Sequence, residues 1–385
     1  MQKVYLDNAA TTHMHEEVID EMVKAMQFNY GNPSSTHFYG RETKGKIENV
    51  RKRIAQLTGV TSAEIIFTSG GTEANNLILR SCVEYLGIKR LISSKIEHSC
   101  VTETVHSLEK NQNIQVDYVK INNHGEIDLN HLENLLKLSE KKTLVTLMHA
   151  NNEIGNINPI EKIGKLTHDY DALYHSDMVQ TLGHYPINLE EIPVDFASCS
   201  AHKFHGPKGI GFAYIKKSTA LKAQITGGGQ ERNIRSGTEN VHGIIGLGKA
   251  FEIANNNFEK DMEYILSLKK YAIQELHSLF PEIHFNGLCD EENSLYTLLS
   301  ISLPFSDGLI GFELDLNGIA CSQGSACQSG AVKSSRVLTE LLPKEFLEKS
   351  TPLRLSFSTH NTKEDIDYLI SILKKIGEKY GAVKA

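Results

Sequence analysis

Short apolar runs alternate along most of the chain with stretches whose apolar residues recur every three or four positions. Glu64-Ile65-Ile66-Phe67-Thr68 reads as a strand, and Ser69-Gly70-Gly71-Thr72-Glu73 then opens a helix through Arg80. Further strands are predicted at Arg90–Ser93, Ile114–Val119, Leu144–Met148, Ala172–His175, Phe196–Ser200 and Gly211–Ile215. The helices between them carry one apolar face, as at Val18, Met22 and Met26. Strands alternating with helices predict an α/β fold with a large, doubly wound, mostly parallel sheet.

From about Asn255 the pattern changes. A polar-faced helix over roughly Phe258–Leu279 leads into a strand at Leu298–Leu303, a turn at Pro304–Gly308 and a helix to Leu316. A strand-like Pro352–Phe357 precedes a final helix near Lys363–Lys379, with Ile366, Leu369, Ile370, Leu373 and Ile376 on one face. The expected division is therefore a large domain over residues 13–255 and a smaller α+β domain from 1–12 and 256–385. A loop at about 321–335 belongs to the second. Its core, Ser322–Ser335, holds five serines and two glycines without sustained periodicity.

Composition narrows the class. A length of 385 residues suits two domains better than one minimal core. The net charge of −7 argues against a general nucleic-acid binder, which needs a basic surface. The opening Met1–Asp7 has no apolar run long enough for a signal peptide, and no later stretch reaches membrane-spanning length, so a soluble cytoplasmic protein is expected. Six cysteines lie scattered with no Cys-x-x-Cys pair, which argues against a disulfide framework.

Three elements could carry chemistry. Ser69-Gly70-Gly71-Thr72 lies between a strand and a helix, where backbone N–H groups can surround a phosphate. Such turns are common, and alone this one decides little. Lys203, at a strand's end in Ser200-Ala201-His202-Lys203-Phe204-His205-Gly206-Pro207, suits an amine that must lose its charge to form a Schiff base. Read alone, it fits a lysine with its stem along apolar surface equally well. Asp177, three residues before Gln180 and again at a strand's end, could face a pyridine ring nitrogen or simply cap a helix. Together the three point to one phosphorylated cofactor at the carboxyl ends of neighbouring strands.

The same segments carry a resemblance that covers nearly the whole chain. Tyr5-Leu6-Asp7-Asn8-Ala9-Ala10-Thr11-Thr12, Gly31-Asn32-Pro33-Ser34-Ser35, Thr68–Glu73, Glu97-His98, Asn151–Gly155, Ala201-His202-Lys203 and Arg235-Ser236-Gly237-Thr238 resemble the cysteine desulfurases, class-V enzymes of fold-type I that use pyridoxal 5'-phosphate. Gly324-Ser325-Ala326-Cys327 is similar to their nitrogen-fixation and housekeeping iron–sulfur branch. The resemblance implies that Lys203 binds the cofactor as a Schiff base, Asp177 faces the ring nitrogen and Gln180 meets the ring hydroxyl. His98 would stack on the ring and move protons. Gly71, Thr72, Ser200 and His202 would hold the phosphate, joined by Thr238 of the partner subunit in a homodimer with a shared active site. Asn152 and Arg354 would take the substrate carboxylate, for which a guanidinium has the bidentate geometry.

The implied reaction converts L-cysteine to L-alanine and leaves the sulfur on the Cys327 thiolate as a persulfide. A sulfur-acceptor protein of iron–sulfur cluster assembly, or of tRNA or cofactor sulfuration, would then receive it. A thiol within a Ser/Gly-rich loop can both attack the substrate and carry the sulfur out. Cys321, in the apolar Gly318-Ile319-Ala320 run, and Cys100, beside His98, read as packing residues. Three features depart from the family: Gln328–Ser335 after the catalytic cysteine, Asp177-Met178-Val179-Gln180 in place of Asp-Ala-x-Gln, and a short C-terminal tail, which puts a dedicated scaffold-binding surface in doubt. A selenocysteine lyase, or another lyase or aminotransferase of the same fold, is the alternative; a loop thiol is what those transaminases do not need. A nicotinamide dehydrogenase is disfavoured, since no strand precedes Gly243, Gly246 and Gly248. No metal-ligand spacing appears: His202 and His205 lack carboxylate or thiol partners nearby in sequence.

Overall fold

After a two-residue strand β1 (Val4–Tyr5), seven of the apolar runs assemble into one sheet in the computed structural model, which describes residues 2–138, 140–289, 293–323 and 335–383. In chain order the strands are β2 (Ile65–Thr68), β3 (Arg90–Ser93), β4 (Gln115–Tyr118), β5 (Thr143–Thr146), β6 (Leu173–Asp177), β7 (Phe196–Ser200) and β8 (Gly211–Ile215). Their spatial order is β2-β8-β7-β6-β5-β3-β4. Pairings from β4 to β7 are parallel, while β8 runs antiparallel to both its neighbours.

Burial explains why these runs are apolar throughout rather than alternating. Every residue of β2, β3, β5, β7 and β8 is buried, because helices cover both faces of the sheet. Helices α1 (Glu16–Phe28) and α2 (Phe38–Leu57) contribute Val18, Ala25, Ile47 and Ile54 to one core. Helices α3 (Gly71–Tyr85) and α4 (Ser99–Gln112) contribute Leu77, Ile78, Val101 and Val105 to the core on the other face. The edge strand β4, with Gln115 and Asp117, is the half-exposed exception.

A second body forms around an antiparallel sheet in which β10 (Leu298–Leu303) lies between β9 (His284–Phe285) and β12 (Thr351–Ser356). The N-terminal β1 joins it through a parallel pairing with β11 (Ile319–Ala320). Val4 and Leu6 therefore share a core with Leu299, Ile301, Leu355 and the Ile366–Ile376 face of the closing helix Lys363–Lys379.

The sequence pattern suggests a separate helix from about Phe258, but one helix runs unbroken from Val241 to Leu279. Ile244, Leu247 and Phe251 pack under the large sheet, whereas Ile265, Leu268 and Leu276 enter the second core. The polar Asn255-Asn256-Asn257 is the part of the helix between the two cores, where no apolar contact is required. No helix among the described residues is long and apolar enough to cross a membrane.

Candidate active site

The parallel strands place their carboxyl ends along one edge of the sheet, and there a cavity of about 500 Å³ opens. Its wall collects Gly71, Thr72, His98, Asn152, Asp177, Gln180, Ser200, His202 and Lys203. These come from the ends of five different strands, which is why no single stretch of sequence reveals the site.

The floor is an anion cradle. Gly70 has φ 149° and ψ −175°, a conformation open to almost no residue but glycine, and it turns the chain from β2 into α3. A Cβ on Gly71 would come within 2.5 Å of Val179 Cγ2, so only glycine fits at this helix start, which forms part of the cavity wall and suits an anion. The wall also holds Ser200, Lys208 and His202, whose buried Nδ1 has no partner among the described residues. Burial and the adjacent lysines push the His202 pKa down to about 4. An unpaired buried donor beside a helix N-terminus suits a phosphate oxygen.

Asp177 ends β6 with its carboxylate buried and held on two sides. Val179 N donates to Oδ1 at 3.0 Å, and Asn75 Nδ2 donates to Oδ2 at 2.7 Å. Behind Asn75, His175 Nε2 meets Asn75 Oδ1 at 3.0 Å, and Thr146 Oγ1 meets His175 Nδ1 at 2.8 Å. Burial lowers the His175 pKa to about 4, so the ring is neutral and the line of donors runs from Thr146 towards Asp177. Gln180 is turned to Ala9, donating to its carbonyl at 3.2 Å.

Lys203 follows β7 in a single tight turn, and its Nζ donates to the carbonyls of Ala9 and Ala10 at 2.7 and 2.9 Å. Neither acceptor carries a charge. Burial, reinforced by the Arg354 guanidinium, lowers the lysine pKa to about 8 despite Asp177 and Asp7. An amine in this state releases its proton readily.

His98 caps α4, its Nδ1 accepting from Cys100 N at 3.2 Å, so the neutral ring carries its proton on Nε2. Burial lowers its pKa, outweighing the attraction of Asp177. Cys100 Sγ lies 3.0 Å from the same Nδ1 and accepts from Asn75 Nδ2 at 3.2 Å. It lines the cavity rather than merely packing, although burial pushes its thiol up to about 12.

Arg354 projects from β12 of the second body to the rim. Its Nη1 donates to Asn152 O at 2.8 Å, and its Nη2 to Asp7 Oδ1 at 2.9 Å and Ser322 Oγ at 3.0 Å. Among the described residues its buried Nε has no partner. Thr238, expected to act from the partner subunit, is exposed on this chain, and Cys327 lies outside the described residues. Asn75 and Asp7 carry no signal of their own in the sequence, because each works through a partner distant in the chain; for Cys100 the signal is its spacing from His98.

The model of the aminotransferase class-V family matches residues 4–369. The chain belongs to the aminotransferase class-V family. A relative of this class-V chain, the cysteine desulfurase IscS of Dictyoglomus turgidum, is 42% identical over 382 residues, covering 98% of this chain and 95% of that protein. Among solved structures, a NifS-like protein superposes with a TM-score of 0.90 at 36% identity, covering 98% of this chain and all (100%) of that one. SspA in complex with cysteine gives a TM-score of 0.80 at 29% identity over 94% of this chain and 100% of that one. The class-V cofactor is pyridoxal phosphate, and the residues present fit it. The α3 start and His202 suit its phosphate, Asp177 its ring nitrogen and Lys203 its aldehyde carbon.

Proposed function

We propose that this chain is a cysteine desulfurase, which converts L-cysteine to L-alanine and places the sulfur on the Cys327 thiol as a persulfide. The observation that carries the reading is Lys203, buried and held by neutral carbonyls in one cavity with the fixed carboxylate of Asp177. Similarity to IscS and NifS-like proteins over nearly the full chain supports the choice of substrate. Pyridoxal phosphate, when bound, supplies an electron sink for the pair released from the substrate α-carbon.

The chain's own residues do the rest. Lys203, with its lowered pKa, is the covalent anchor and a proton carrier at Nζ. Asp177 would hold the proton of the ring nitrogen, and Gln180 would meet the ring hydroxyl. His98 would lie against the ring, while Gly71, Thr72, Ser200 and His202 would hold the phosphate, with Thr238 of a second copy in a homodimer. Arg354 and Asn152 bind the substrate carboxylate, the guanidinium supplying two parallel donors.

Support for Cys327 comes from its neighbours. Ser322 N and O pair with Arg354 O and N at 3.2 and 2.8 Å. On the other side, Ser335 meets Glu153, and Arg336 donates to the Glu97 carbonyl beside His98. The described residues on either side of 324–334 are thus bonded to residues next to Asn152 and His98. We read 1–12 and 256–385 as one domain that brings this segment to the cofactor domain of 13–255. Iron–sulfur cluster assembly in the cytoplasm, through a sulfur-acceptor protein, is the destination this reading favours.

The test is to incubate the holoenzyme with L-cysteine, measure alanine, and locate the persulfide by mass spectrometry. Label on Cys327, and loss of both label and alanine turnover in Cys327→Ser, is the expected result. Alanine release that survives in Cys327→Ser, or label on Cys321 instead, rules the mechanism out.

A further inference from the structure

Outside the cofactor cavity, three histidines from distant parts of the chain converge. His15 caps α1 but makes no capping hydrogen bond. His205 stands two residues beyond Lys203 with φ 63°, and His360 lies in the turn between β12 and the closing helix. One ring nitrogen from each lies within 4.8 Å of the other two. The His15 and His205 rings stack at 4.4 Å between centroids, with His360 at 6.0 and 5.5 Å. Their separation along the chain is why no ligand spacing was visible in the sequence.

We propose that His15, His205 and His360 bind one transition-metal ion of the zinc class, clasping the N-terminal segment, the Lys203 loop and the second body together. Imidazole ligands without carboxylates select zinc, copper or nickel over magnesium or calcium. The ligand form of histidine is the neutral ring.

The second shell supports the same assignment. His205 Nδ1 faces the His13 carbonyl at 2.6 Å, so this nitrogen carries the proton and Nε2 keeps a free lone pair. Metal-bound histidines are characteristically oriented in this way. The His205 backbone is fixed as well, its N donating to Thr12 Oγ1 at 2.7 Å. Ligand nitrogens on one tetrahedral ion stand about 3.4 Å apart, given bonds of about 2.0–2.1 Å, so ring rotation must bring these somewhat closer. The fourth position falls to water or to His13, whose ring lies 5.0 Å from His360.

A rival set of ligand atoms, His98, Cys100 and Asp177, lies inside the cofactor cavity. The test must therefore separate the two. Untagged, full-length holoenzyme is stripped with a chelator and titrated with Zn²⁺ against a chromophoric competitor, and with Co²⁺ for its visible ligand-field bands. One Zn²⁺ per chain is expected, with a thermal midpoint that rises with free Zn²⁺. His15→Gln and the exposed-turn variant His360→Gln should each weaken binding by about tenfold or more and abolish the thermal shift. Metal-free turnover of L-cysteine should stay unchanged in both, and Cys100→Ser should bind Zn²⁺ as before. The proposal is overturned by absence of stoichiometric binding, by binding that both histidine variants leave intact, or by binding lost in Cys100→Ser.

Discussion

Asn75 donates to Asp177 Oδ2 at 2.7 Å while its own carbonyl oxygen faces His175 at 3.0 Å, so one buried amide carries polarity from the sheet interior to the cofactor pocket. An amide is suited to this because it donates at one end and accepts at the other. Asn75 has no exposed surface, so water cannot replace either contact.

Asn75→Ala should therefore cost about 1–3 kcal/mol of stability, the range for leaving a buried partner unsatisfied. Chemical denaturation of the apo-protein measures this. Alanine production should also fall in the holoenzyme, because Asp177 then keeps only the Val179 amide. Asn75→Asp should be worse, since two carboxylates would meet in a site without solvent.

The rate at which apo-protein captures pyridoxal phosphate should rise with pH and level off above about 8, the pKa to which Lys203 is lowered. A solvated lysine would continue to gain up to about pH 10.4. The stability sign follows from linkage. The folded pKa lies below the unfolded one, so the unfolded state binds the extra proton between them. The destabilisation from this lysine is full below about pH 8 and fades as pH rises beyond it. Stopped-flow absorbance of cofactor binding and denaturation at several pH values check both statements.

Arg354→Lys keeps the charge but cannot reproduce three contacts with Asn152, Asp7 and Ser322. If the guanidinium binds the substrate carboxylate, KM for L-cysteine should rise about tenfold to a hundredfold, matching about 1.5–3 kcal/mol for a charged hydrogen bond. The kcat should change less. Steady-state kinetics separates the two.

Arg51 and Glu231 form a buried two-pronged ion pair, with both contacts at 2.7 Å, and Glu231 Oε2 also accepts from Phe67 N at 2.8 Å. Glu231→Ala should cost about 1.5–3 kcal/mol, the range for a hydrogen bond to a charged group, because the buried guanidinium then keeps only Glu48 and the Ile65 carbonyl. Equilibrium unfolding reads the loss, and pairing it with Arg51→Met should recover part of it.

The sequence by itself determined the strands, the helices and the class of chemistry. Continuous apolar runs such as Ile65–Phe67 can only be buried on both faces, and Gly70 or Lys203 sits at a strand end wherever the sheet is placed. Which residues act together was decided by tertiary structure. Asn75 meets Asp177 only because α3 lies across the end of β6, and Arg354 reaches Asn152 only because the second body docks on the first. The Val241–Leu279 helix makes the same point, since its polar middle resembles a linker until two cores are seen on either side. Local pattern fixes local geometry through sterics and burial, whereas pKa shifts and shared contacts depend on neighbours that a linear chain does not specify.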